Sequence, residues 1–157
     1  MIKSKNLLVL FLSLSICSCL QQNDKDTERL RNYLAVMNHP IEHEPHLYII
    51  YSSFFCKGCI SNGTVKLDKL IKGKKSTDIT VIVPTSEQIQ IPFRDKVTVL
   101  LDNNEIDHFF PCIANLTLII TQSERIIRMT DIDSDTALIN SVYAEFVKLK
   151  AANLTNN

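Results

Sequence analysis

Residues 47–51, Leu-Tyr-Ile-Ile-Tyr, are an unbroken run of aliphatic and aromatic side chains, and the chain then carries Cys56-Lys57-Gly58-Cys59. A run of this kind reads as a buried strand. The two cysteines fall where that strand gives way to a predicted helix, and this junction constrains the fold more than any other segment. A thiolate is the nucleophile in disulfide exchange, and the free N–H groups and dipole of a helix N-terminus favour negative charge there. Cys56 is therefore the candidate attacking sulfur. Cys59, one helical turn on, is placed to resolve a mixed disulfide. The same spacing also suits a structural disulfide, or a vestigial motif on a domain used for binding.

The compartment is read from the first twenty residues. Lys3 and Lys5 give a positive start, Leu7 to Ile16 an apolar stretch, and small or polar residues surround Cys17 and Cys19. That is the pattern of a secretory signal, shorter than the roughly 20 residues of a spanning helix. Ile16-Cys17-Ser18-Cys19 also reads as a bacterial lipobox, with Cys19 as the lipidated residue because small Ser18 precedes it. The expected division is a signal peptide over 1–18, a polar tether over 19–25 and one domain over 26–157. Leu20 after the lipidated cysteine lacks an acidic retention signal, which points towards the outer membrane. Seventeen basic and seventeen acidic residues leave no basic field for nucleic acid. Outside the leader only Cys56, Cys59 and Cys112 remain, too few for a scaffold built on disulfides.

The rest of the chain alternates. Leu30, Leu34 and Met37 fall at helical spacing, with Asp26 or Thr27 as the expected cap and His39-Pro40 as the stop. From Cys59 to Ile71, Val65, Leu67, Leu70 and Ile71 fit a helix that Gly63 weakens. Strands are expected at Asp78–Val83 and Lys96–Leu101, and a short helix at Glu105–Phe110. Leu116–Thr121 and Arg125–Met129 read as a hairpin around Gln122-Ser123-Glu124. Ser134 is the expected cap of a last helix whose Leu138, Val142, Phe146 and Leu149 line one face. This order predicts an α/β domain with a sheet that is parallel in part and antiparallel in part.

Four segments resemble the thioredoxin-like fold, and within it the membrane-tethered extracytoplasmic redoxins of the TlpA/ResA type. They are Leu47 to Cys59, Thr98-Val99-Leu100-Leu101-Asp102, the pair Leu116–Ile120 with Glu124–Ile127, and the C-terminal helix. The resemblance implies a mixed sheet flanked by helices, with Leu47–Ser53 beside Leu116–Thr121. It also implies Cys56 as nucleophile and Cys59 as resolving thiol, joined in the oxidised state as a redox-active disulfide. Phe55 and Asn115 would face the substrate. The implied partners are protein thiols or disulfides and, through a lipid, a membrane; no organic cofactor and no metal enter. Two positions depart from the family. Ala114-Asn115-Leu116 stands where members carry a cis-proline, and a cis bond without proline costs roughly 2.5–4 kcal/mol, so a trans peptide is expected at Asn115. Apolar Ile50 stands where many members bury an acid, with Glu105 as a nominal substitute.

Two further features have competing readings. Cys112 suits a buried structural thiol, a third redox thiol, or, with His108, Cys56 and Cys59, a ligand of zinc, which accepts such a set. Of these the buried thiol is the reading adopted. His39, His43 and His46, among Pro40 and Pro45, read as a solvated connector.

Overall fold

The apolar run forms the central strand of a sheet covered on both faces. The computed structural model describes residues 24–52, 57–71, 76–85, 90–103, 106–110, 116–132 and 137–156. Helix α1 covers 24–36, followed by β1 (His46–Tyr51), α2 (Lys57–Leu70) and β2 (Ile79–Pro84). A 3₁₀ turn (Arg94–Lys96), β3 (Thr98–Asp102), α3 (Ile106–Phe109), β4 (Leu116–Gln122), β5 (Arg125–Ile132) and α4 (Ala137–Asn156) complete the order.

The described strands make one five-stranded sheet in the order β3-β2-β1-β4-β5. Strand β1 runs parallel to β2, and β2 to β3, whereas β4 is antiparallel to both β1 and β5. Successive side chains of β1 go to opposite faces, as the pleat requires. Leu47, Ile49 and Tyr51 enter a cluster with Leu67 of α2 and Ile139, Val142 and Phe146 of α4. Tyr48 and Ile50 enter the other, with Leu30, Tyr33 and Leu34 of α1 and Ile106 of α3. All six residues of β1 are buried, and this double cover is why the strand reads as continuous apolar sequence. Fully burying one Leu or Ile is worth ~1.5–3 kcal/mol, so the two faces together carry much of the fold's stability.

The expected neighbourhood of Leu47 and the strand from Leu116 is met, with register running from His46↔Thr121 to Tyr51↔Leu116. Several local expectations are corrected. Thr27 does not start α1; it lies inside the helix, where its Oγ1 accepts the Ile126 N–H at 3.0 Å and ties α1 to β5. Asp26 is also inside α1 and pairs with Arg29. On α4 the inward face uses Ile139, fully buried, while Leu138 is 37% exposed. Val65 of α2 is exposed as well. Lys96 closes the 3₁₀ turn, and β3 begins only at Thr98. Ser134 lies outside the described residues.

The hairpin turn is tighter than predicted. Gln122 pairs with Arg125, leaving Ser123 and Glu124 as a two-residue turn with φ of 50° and 58°. Two left-handed residues match the twist of a two-residue hairpin, although neither is the Gly or Asn that adopts this backbone at least cost. The Ser123 N–H donates to the His43 carbonyl at 2.7 Å and docks the turn on the connector.

That connector is not a solvated loop throughout. His46 is 3% exposed, and its Nε2 lies 2.8 Å from Thr80 Oγ1 with the ring against Tyr48, centroids 4.5 Å apart. His39 approaches Tyr48 edge-on, and the Glu42 N–H donates to the Tyr48 hydroxyl at 3.2 Å. His43 alone keeps the solvated character expected of all three.

Candidate functional site

The register places one set of strand ends together. Tyr51 pairs with Leu116, Leu116 with Ile132, and Pro84 with Asp102, so β1, β2, β3 and β5 all end where β4 begins. In open α/β sheets this carboxyl border is where ligands bind, because the connecting segments converge there. The segments bearing Cys56, Glu105, Cys112 and Asn115 all join the described strands and helices at this border. Phe55, Cys56, Glu105, Cys112 and Asn115 themselves lie outside the described residues, as does Cys19, so the expected trans peptide at Asn115 is not addressed.

Helix α2 begins at Lys57, directly after Cys56 in the chain, and Cys59 is its third residue. The helix therefore starts two residues before the expected Cys59. Its first turn contains no acidic residue, so the partial positive charge of the helix N-terminus is not offset there. A thiolate at the residue before the helix would gain from that charge.

Two contacts hold the second turn of α2 against the sheet. The hydroxyls of Tyr51 and Thr64 are 3.0 Å apart and buried. Burial pushes the Tyr51 phenol up to about 12, with the Thr64 hydrogen bond working the other way, so it stays protonated across the physiological range. Beside Thr64, Gly63 lies so close to β4 that a Cβ there would stand 2.8 Å from Leu116 Cδ2. The glycine that weakens the helix by propensity thus lets it approach the sheet without displacing the Leu116 side chain. Sequence reasoning missed both contacts. The available signal was spacing, since Gly63 follows Cys59 by four residues in the sequence.

At the neighbouring strand end Asp102 is buried, and its carboxylate accepts the Ile106 N–H at 3.3 Å. Its carbonyl accepts the Thr85 N–H at 2.7 Å. The aspartate that ends β3 therefore caps α3 and holds the loop after β2. Ile50 is fully buried in the α1-side cluster and offers no proton acceptor. His108 is exposed on α3. Among the described residues no group of three His, Cys, Asp or Glu could hold a metal ion.

With helices on both faces of a sheet in this order, the architecture is that of the thioredoxin-like α/β fold. No family model matches the chain. No curated protein matches it either. Solved structures similar to it include StoA from Bacillus subtilis, 12% identical with a TM-score of 0.43 over 64% of this chain and 83% of that one. A secreted Mycobacterium tuberculosis disulfide oxidoreductase homologous to E. coli DsbE is 8% identical, with a TM-score of 0.46 over 67% and 84%. The exposed lipoprotein thioredoxin of Streptococcus pneumoniae is 12% identical, with a TM-score of 0.42 over 67% and 87%.

Proposed function

We propose that the protein is a lipid-anchored, extracytoplasmic thiol-disulfide oxidoreductase acting through Cys56 and Cys59. The observation that carries this reading is the start of α2 at Lys57, on the carboxyl border of the central strand, immediately after Cys56. In the proposed cycle the Cys56 thiolate attacks a substrate disulfide and forms a mixed disulfide, releasing one substrate thiolate. The Cys59 thiolate then displaces the second substrate sulfur, leaving a Cys56–Cys59 disulfide. Two electrons have passed to the substrate, and an upstream dithiol must restore the pair. Phe55 and Asn115 are proposed to line the docking surface for protein substrates. Cys19 is proposed to carry the lipid that holds the domain at a bacterial membrane, with residues 19–23 as tether, since 24 and 25 already belong to α1.

Trapping tests the chemistry. Cys59→Ser should accumulate a mixed disulfide through Cys56, and Cys56→Ser should accumulate none. Alkylation against pH should show Cys56 titrating below the ~8.5 of a free thiol. If neither variant traps a partner and Cys56 reacts as an ordinary thiol, the catalytic reading fails. The second reading, a noncatalytic interaction module, is favoured by Ala114-Asn115 in place of a proline, and would then stand. Cys19→Ala should leave the protein unprocessed or release it from membranes, and a mature form without lipid by mass spectrometry would refute the anchor.

A further inference from the structure

Two consecutive residues of α2 are seated on two residues that face each other across the sheet. Tyr51 of β1 and Leu116 of β4 are register partners; Gly63 packs on Leu116, and Thr64 bonds to Tyr51. The helix is thereby keyed to the β1–β4 pair at a fixed position along its length. Tyr51 stands five residues before Cys56, and Thr64 five residues after Cys59. The hydrogen bond between them therefore joins the two flanks of the cysteine motif. Resting on the redox reading above, we infer that this bond is a clamp that sets the reduction equilibrium of the Cys56–Cys59 pair, with Tyr51 and Thr64 as positioning residues.

The reason lies in what holds the motif together in each redox state. In the disulfide form the sulfur–sulfur bond itself closes the loop between the two cysteines. In the dithiol form that link is absent, and the flanks are held by packing and by the clamp. Loosening the clamp gives freedom mainly to the dithiol form, in the way that a cross-link acts mainly on the state that lacks other constraints. The two sulfurs then meet less often, their effective concentration falls, and the dithiol is favoured. Both hydroxyls are buried, 1% and 5% exposed by residue, so water does not replace the partner that is removed.

The test is equilibration of the full chain with reduced and oxidised glutathione. In that reaction the protein dithiol loses two electrons and two protons, one glutathione disulfide gains them, and two glutathione thiols are released. Alkylation with peptide mass spectrometry resolves the Cys56–Cys59 pair from the other cysteines. Tyr51→Phe and Thr64→Val should each lower the oxidation constant by about fivefold, the weight of one net hydrogen bond. The double variant should lower it no further, and Thr64→Ser, which keeps the hydroxyl, should restore it. If the constants stay within about twofold of the parent while unfolding midpoints fall, the bond is structural only and the clamp is refuted. Additive effects in the double variant also refute it. If the parent forms no Cys56–Cys59 disulfide at any glutathione ratio, the redox reading itself fails, an outcome distinct from an unchanged constant. Should Tyr51→Phe not fold, Thr64→Val against Thr64→Ser makes the same comparison.

Discussion

Acid should destabilise this protein through His46, and the size of the effect can be worked out from its surroundings. Burial is the main cause that lowers its pKa from 6.5 to about 3, and the positive charge that His39 and Lys150 can carry nearby adds to it. The neutral ring lies against Thr80 Oγ1, and a proton on it would place a charge inside the sheet. As pH falls below 6.5 the unfolded chain takes up a proton that the folded chain refuses, so stability is lost on the acid side. The contribution is complete above pH 6.5 and is lost progressively down to about pH 3. Between pH 7.5 and pH 5 the loss from this group is about 2 kcal/mol, since each unit below the unfolded value is worth 1.36 kcal/mol. The assay is urea unfolding of the parent and of His46→Gln at both pH values, which cancels the other titrating groups common to the two. The stability gap between them should shrink by about 2 kcal/mol at pH 5, equivalent to about 4–8 °C in melting temperature for a chain of this size. Parallel curves for the two proteins would refute the reasoning.

Three further outcomes follow from packing and capping. Gly63→Val should cost ~1–3 kcal/mol in denaturant unfolding by overpacking Leu116, whereas Gly63→Ala should fall within about 1 kcal/mol because better helix propensity offsets the displaced methyl group. Asp102→Ala should cost ~0.5–2 kcal/mol, and hydrogen exchange should rise first at the Ile106 amide, which loses its acceptor. Glu145→Gln, which breaks the half-exposed pair with Arg128, should change thermal stability by less than about 1 kcal/mol.

The central strand, the crossover to α2 and the late hairpin were legible because each rests on a local signal: a doubly covered apolar run, a parallel return, and a short polar loop. For the candidate site the order strand, Cys56, helix was legible, of which the described part is β1 ending at Tyr51 and α2 beginning at Lys57. What escaped was set by contacts distant in sequence. His46 sits among residues that look like a connector, and only pairing with Thr121 and contact with Thr80 draw it into the sheet. Thr27 looks like a cap, yet its hydroxyl is taken by a strand 99 residues away. Gly63 is a helix weakener by propensity, and its use appears only when Leu116 is placed opposite it. Leu138 and Ile139 are equally apolar neighbours, and the rotation of α4 alone decides which is buried.

The sheet has two unlike borders. On β5, Arg125, Arg128 and Asp131 place a charge at every third residue, and a register irregularity at Ile120/Thr121 interrupts its pairing with β4, so charge and shape both discourage a foreign strand. On β3 the first four residues are Thr98, Val99, Leu100 and Leu101, without a charge among them, and Leu101 is 59% exposed beside the tip of α1. Among the described residues, no strand of this sheet lies beyond β3 on the side away from β2. Its brevity, five residues, is therefore the main protection on that side. Insertions that lengthen β3, or fusions that hold two molecules side by side, would remove that protection and favour sheet-to-sheet aggregation from this border rather than from β5.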